Sequence, residues 1–288
     1  MKTPLFQGAC TALVTPFSNG KINFDMLKLL IHRQLDAGVS SMVFCGTTGE
    51  APTLSDNEKL CIFSHAKKTM PQGIVICGTG SNDTRHTIAL SRAAEDAGAD
   101  ALLVVSPYYN KATTKGLIEH YSAIAASVHI PIILYNVPSR TGVDIPIEAY
   151  KELSQISNIA GVKEASTDIT KIIKIRNHCP ADFCIWSGND DMTVPVMALG
   201  GAGVISVVSN VAPLEVQDMC LAALAGDYDT AAALQAQLQP LTSALFSEVN
   251  PIPVKAAMNL IGYDCGACRP PLSNPCTETE STLAALLT

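Results

Sequence analysis

The chain has 288 residues, of which 48% are hydrophobic and only 16% charged, with a formal net charge of -7. That length suits one large domain or two small ones, the apolar content is ample for a large core, and the acidic balance offers no basic face for nucleic acid. No apolar run approaches the roughly 20 residues of a membrane helix. Pro4, Gln7 and Thr11 also interrupt any signal-peptide core, so a soluble cytoplasmic protein is expected.

The first apolar run, residues 10–14, is followed by Phe24, Leu27, Leu30, Ile31 and Leu35 at helical spacing, and Ala37-Gly38 stops that helix. A second run at 41–45 leads to Ser55 and Glu58, the spacing of a capping box, which opens a helix toward Lys68. The third run, 74–78, precedes a helix that closes on Gly98. Further runs follow at 101–105, 132–135, 159–163, 183–187 and 204–207, which makes eight. Near-continuous apolar strands alternating with helices predict a parallel sheet covered on both faces. Eight such units predict an α/β fold of the (β/α)8 TIM-barrel type. An open doubly wound sheet is the competing architecture, but Gly78-Thr79-Gly80-Ser81-Asn82-Asp83 lacks the third glycine of its nucleotide-binding turn. Beyond Val208 the pattern is helical only, at 213–225, 228–246, 253–261 and 278–287. A barrel over residues 1–210 is therefore expected to carry a C-terminal helical region, 211–288, packed on it or on a partner subunit.

Sites in such a barrel sit at the C-terminal ends of the strands. Here those ends read Gly46-Thr47-Thr48-Gly49-Glu50, Gly78-Thr79-Gly80, Ser106-Pro107-Tyr108-Tyr109-Asn110, Tyr135, Lys163, Ser187-Gly188 and Ile205-Ser206. Taken singly, the glycines are turn formers, the tyrosines packing residues and Lys163 a solvated charge. Their joint occurrence on one rim points to chemistry. The runs ending in Tyr135 and Lys163 deliver a phenol and a primary amine, and an amine kept from water is favoured in its neutral, nucleophilic form. Arg140, in the loop between them, is a rigid fork suited to a carboxylate. The Gly46 to Gly49 turn offers consecutive N–H groups and two hydroxyls, a cradle for a second carboxylate. Glu50 and Glu164 are read as structural hydrogen-bonding groups.

Ten cysteines are many for a cytosolic chain, but Cys45, Cys77 and Cys184 fall inside apolar runs, where a free thiol acts as a small hydrophobe. Cys265 and Cys268, with Cys276 beyond, have ligand-like spacing without a second pair, so no metal site is expected.

The segments CGTTGE, SPYYN, YNVPSRTG, GVKEA, SGND and GGAGVISV, in this order, resemble the dihydrodipicolinate synthase family, class I aldolases of the lysine pathway. The likeness spans residues 6–271, with NPIPVK at 250–255 and RPPL at 269–272 as C-terminal echoes. The resemblance implies a (β/α)8 barrel with a helical tail, assembled as a homotetramer of tight dimers. It implies condensation of pyruvate with aspartate semialdehyde, without metal or dissociable cofactor. Lys163 would form the Schiff base. Thr47, Tyr135 and Tyr109 would relay protons, with Tyr109 reaching a neighbouring subunit's site. Thr48 would hold the pyruvate carboxylate, Arg140 that of the semialdehyde, and Gly188 and Ile205 would line the pocket. Asn82 and Tyr108 match a lysine effector site. Ala51, Asp56, Lys59 and His86 depart from inhibited relatives, and a basic Lys59 would repel a cationic effector, so weak or absent lysine feedback is expected. N-acetylneuraminate lyase and the sugar-acid aldolases share barrel and lysine, but the loop Pro138-Ser139-Arg140-Thr141-Gly142 has the synthase form. A non-catalytic keto-acid-binding barrel is the alternative from another class, and the intact lysine and relay speak against it.

Overall fold

A computed structural model describes residues 4–287. Eight parallel strands close into a barrel: β1 (Gly8–Ala12), β2 (Ser41–Phe44), β3 (Ile74–Gly78), β4 (Ala101–Val105), β5 (Ile132–Asn136), β6 (Ile159–Glu164), β7 (Cys184–Ser187) and β8 (Gly203–Ser206). Each strand pairs with its sequence neighbour, and β8 closes on β1, with Gly8 opposite Gly203 and Cys10 opposite Ile205. The strands read as continuous apolar runs because both faces are covered, the inner by the barrel's own side chains and the outer by helices.

The inner layer holds Cys10, Val43, Ile76, Leu103, Ile133, Tyr135, Trp186 and Ile205. Phe6 stacks on Trp186 at 4.8 Å, and the Trp186 indole N–H donates to the Phe6 carbonyl at 3.2 Å. Phe6, just ahead of β1, thus plugs the barrel interior from the side where the strands begin.

Six of the eight strands are shifted from the apolar runs by one or two residues at an end. β1 starts at Gly8, two residues early, because its ladder to β8 begins there, and β8 starts at Gly203 for the same reason. A small hairpin, Phe17–Ser18 with Lys21–Ile22, and a one-turn helix, Pro138–Thr141, also lie outside the predicted pattern. Ser55 and Glu58 form the expected capping box at the helix Asp56–Thr69: the Glu58 N–H donates to Ser55 at 3.3 Å and the Ser55 N–H to Glu58 at 2.9 Å. After the barrel come four helices, Pro213–Leu224, Tyr228–Leu245, Ile252–Leu260 and Thr277–Leu287. The first is tied to β1, where the Ala9 N–H donates to Gln217 at 2.9 Å. No helix among the described residues is long and apolar enough to cross a membrane.

Candidate active site

Tyr135 and Lys163 stand opposite each other in the β5–β6 register, as do Asn136 and Glu164. Strand side chains alternate faces, so the first pair points into the barrel and the second out of it. The Lys163 amine lies 4.5 Å from the Tyr135 ring centroid. Lys163 is only 5% exposed. Among the described residues no carboxylate lies within 4.0 Å of its nitrogen.

The outward pair builds a buried polar network behind the site. Asn136 donates to Glu164 and to Asp144, each at 2.8 Å, and accepts from the Ile145 N–H at 3.0 Å. Tyr150 donates to the other Glu164 oxygen at 2.9 Å, and burial, followed by that carboxylate, pushes its phenol well above the ordinary range. Lys171 closes the network on Asp144, with Glu164 at 4.0 Å. Glu164 is thus structural, and the loop bearing Arg140 is fastened to the strands bearing Tyr135 and Lys163.

The turn after β2 is shaped by two left-handed residues, Cys45 (φ 53°) and Glu50 (φ 58°). Its carbonyl at Gly49 accepts from the Thr15 hydroxyl at 2.7 Å. Glu50 is buried and accepts from Lys255 at 2.7 Å and from the Arg269 N–H at 2.8 Å, so it too is structural. Thr48 is buried and its hydroxyl accepts from Asn250 at 3.0 Å.

Above the rim lies a cavity of about 700 Å³ whose walls include Thr47, Tyr135, Arg140, Tyr108 and Asn82. Asp56, Lys59 and His86 stand on the same wall, with His86 at 2.8 Å and Lys59 at 3.5 Å from the Asp56 carboxylate. Lys163 is not itself part of that wall; its amine lies against the ring of Tyr135, which is. Gly188 donates its N–H to the Glu164 carbonyl at 2.7 Å, and a Cβ there would stand 2.6 Å from that of Ala165, so only glycine fits beside β6. Ile205 is fully buried in the inner layer with Tyr135. Tyr109 is not brought to this cavity: it is 89% exposed and left-handed at φ 74°.

Three residues escape sequence reasoning. Asn250, Lys255 and Arg269 come from the tail, and only the NPIPVK and RPPL segments hinted at them. Asp190 is a fourth: it is fully buried, accepts from Ser206 and from the N–H groups of Val207 and Val208, and fastens the β7 loop to β8. Burial pushes its carboxyl up. Among the described residues no three His, Cys, Asp or Glu side chains are grouped to hold a metal ion. Cys265 is buried, Cys268 half-buried and Cys276 exposed.

Chemically, the rim offers a shielded primary amine against a phenol, a hydroxyl turn on one side and an arginine on the other. That suits imine formation on a keto acid, followed by attack on an anionic aldehyde. The dihydrodipicolinate synthetase family model matches residues 5–288. A relative in Acetivibrio thermocellus named 4-hydroxy-tetrahydrodipicolinate synthase is 47% identical over 275 residues, 95% of this chain and 94% of its own. Among solved structures, the dihydrodipicolinate synthase of Aquifex aeolicus is 42% identical with a TM-score of 0.96, covering 98% of this chain and 97% of that one. The Acinetobacter baumannii dihydrodipicolinate synthase, solved complexed with pyruvate, is 39% identical with a TM-score of 0.95, covering 98% of both chains.

Proposed function

The chain belongs to the dihydrodipicolinate synthetase family, and from that premise we propose that Lys163 is the amine that carries pyruvate as a Schiff base. The enzyme is a lyase of diaminopimelate and lysine biosynthesis: it condenses pyruvate with L-aspartate 4-semialdehyde to give 4-hydroxy-tetrahydrodipicolinate. The observation that carries the assignment of Lys163 is its amine, buried over the Tyr135 ring at 4.5 Å and free of any carboxylate partner among the described residues.

In the proposed sequence, the Lys163 nitrogen adds to the pyruvate carbonyl and the carbinolamine loses water. The resulting imine is an electron sink, so a methyl proton leaves to give an enamine. The enamine carbon attacks the aldehyde, whose oxygen gains a proton and remains as the hydroxyl. The amino group of the semialdehyde then displaces Lys163 from the imine carbon, which closes the ring and frees the enzyme. Thr47 and Tyr135 share the cavity wall and relay protons through these steps. Thr48 and the turn's N–H groups hold the pyruvate carboxylate, Arg140 holds that of the semialdehyde, and Gly188 and Ile205 shape the pocket.

Residues 1–210 supply the reacting groups and 211–288 support them. Tyr109, exposed and left-handed, completes the relay of a neighbouring protomer in a tetramer of tight dimers; a fully active monomer in sedimentation would remove it from the mechanism. Lys59 and His86 on the wall beside Asn82 and Tyr108 favour weak or absent feedback by lysine, and strong inhibition by modest lysine would overturn that reading. The enzyme works in the cytoplasm. A sugar aldehyde as acceptor receives no support from the relatives' names.

The test is reduction with borohydride in the presence of pyruvate, followed by peptide mapping. A pyruvate adduct on Lys163, absent from Lys163→Ala, is expected. An adduct elsewhere, or one that survives the substitution, would overturn the assignment.

A further inference from the structure

We infer that Asn250 is a positioning residue that ties the two substrate subsites together, an inference that rests on the functional reading above. Its side-chain Nδ2 donates to Oγ1 of Thr48 at 3.0 Å, while its backbone carbonyl accepts from Nη2 of Arg140 at 3.2 Å. One buried residue thus touches both the hydroxyl assigned to the pyruvate carboxylate and the guanidinium assigned to the semialdehyde carboxylate.

Donor counting gives these contacts their meaning. A threonine hydroxyl has a single proton. Because the Thr48 oxygen accepts from Asn250, that proton is left to donate to substrate. The amide orientation matters: with the amide reversed, Thr48 would spend its proton on Asn250 and present only lone pairs to an anion. In the observed orientation Nδ2 of Asn250 is paired with Thr48, and Oδ1 is buried without a protein partner. Arg140 has five N–H donors in a plane. The Asn250 carbonyl takes one and restrains the plane, and the others are left for a substrate carboxylate.

Asn250 is itself held firmly. It lies just before the helix Ile252–Leu260, whose Lys255 grips Glu50 at 2.7 Å in the same turn that carries Thr48. Side chain and backbone of one residue therefore transmit between the subsites: the side chain sets Thr48 directly, and its anchorage on Thr48 holds the carbonyl in place for Arg140.

The experiment is steady-state kinetics on Asn250→Ala, Asn250→Asp and Thr48→Val, with each substrate varied in turn and borohydride trapping as the control for the functional reading. Asn250→Ala removes the anchor and should raise KM for pyruvate by up to about tenfold, the scale of one lost neutral hydrogen bond, and KM for the semialdehyde by a smaller, measurable factor. Asn250→Asp still binds Thr48 but takes its proton, so only the pyruvate KM should rise. In the double variant Thr48→Val/Asn250→Ala, the semialdehyde KM should match that of Asn250→Ala alone, since both substitutions cut the same anchor. A semialdehyde KM unmoved by Asn250→Ala, a pyruvate KM unmoved by Asn250→Asp, or multiplicative effects in the double variant would each overturn the coupling. Failure of the functional reading would look different, as loss of the Lys163 adduct in the unmodified enzyme.

Discussion

Lys163 and Lys255 are both almost wholly buried, at 5% and 1% exposure, and each lays its amine over an aromatic ring, Tyr135 at 4.5 Å and Phe17 at 4.0 Å. They differ in what meets the nitrogen. Lys255 donates to Glu50 at 2.7 Å and to the Ala267 carbonyl at 3.0 Å, and with the ring face all three ammonium hydrogens are engaged. Lys163 has the ring and no carboxylate within 4.0 Å among the described residues. A buried ammonium ion is costly unless it is paired and hydrogen-bonded; Lys255 has that pairing, whereas the Lys163 nitrogen is left open to a substrate carbonyl. On the proposed function, it is the missing counter-ion and not burial alone that distinguishes Lys163 as the Schiff-base amine. Lys171, buried but paired with Asp144 and near Glu164, falls with Lys255.

The comparison breaks first on Lys163. Lys163→Ala should abolish turnover and the reducible adduct together, and a peptide map of the unmodified enzyme should find pyruvate on Lys163 and none on Lys255. Labelling of both would show that shielding, not pairing, governs reactivity. A smaller effect comes from the ring beneath the amine. Tyr135→Phe keeps the aromatic surface and removes the phenolic proton, so pyruvate should still be trapped while kcat falls about a hundredfold or more, the scale of general acid–base catalysis. Unchanged kcat would reduce Tyr135 to a packing residue.

How much of this could be read beforehand depends on which interactions are local. The barrel was readable because strand burial and helix amphipathicity repeat along the chain, and capping at Ser55 and Glu58 spans three residues. Tyr135 and Lys163 were readable because each ends an apolar run, and neighbouring parallel strands bring those ends into register. Lys255 was not: it lies in a helical stretch like any other, and its partner Glu50 is 205 residues away. The same is true of Asn250, 202 residues from Thr48. Periodicity reports which face of an element is buried and says nothing of which distant side chain it meets there.

On the paired side, Lys255→Met should leave Glu50 buried without its counter-ion and cost about 3–5 kcal/mol of stability, the range for breaking one half of a buried pair. Thermal unfolding would show it. Lys255→Met combined with Glu50→Gln should recover much of the loss, because the uncompensated charge is gone. Kinetically, the single variant should weaken pyruvate binding through the Thr48 turn while leaving the Lys163 adduct intact. If instead the adduct disappeared in a folded protein, the two lysines would not be separable in role.

The smallest effect tests the outer part of the same clamp. Arg269 donates to Glu58 at 2.6 Å and 3.1 Å, and to the Thr53 carbonyl at 2.9 Å. The hydrogen bond from Arg269, set against burial that opposes it, lowers the Glu58 carboxyl from 4.5 to about 2. Its folded value lies below its unfolded value, so its contribution is full above about pH 4.5 and is lost as pH falls toward 2. Glu58→Gln keeps a capping-box side chain but removes the charge that meets Arg269, and with it the titration. It should lower stability at neutral pH by about 1 kcal/mol, the size expected for a partly solvated pair, and flatten the acid limb of the unfolding curve between those two values. An acid limb that keeps its slope in Glu58→Gln would place the tail's hold on the Thr48 turn in the buried Lys255–Glu50 pair alone, where solvent has no part in it.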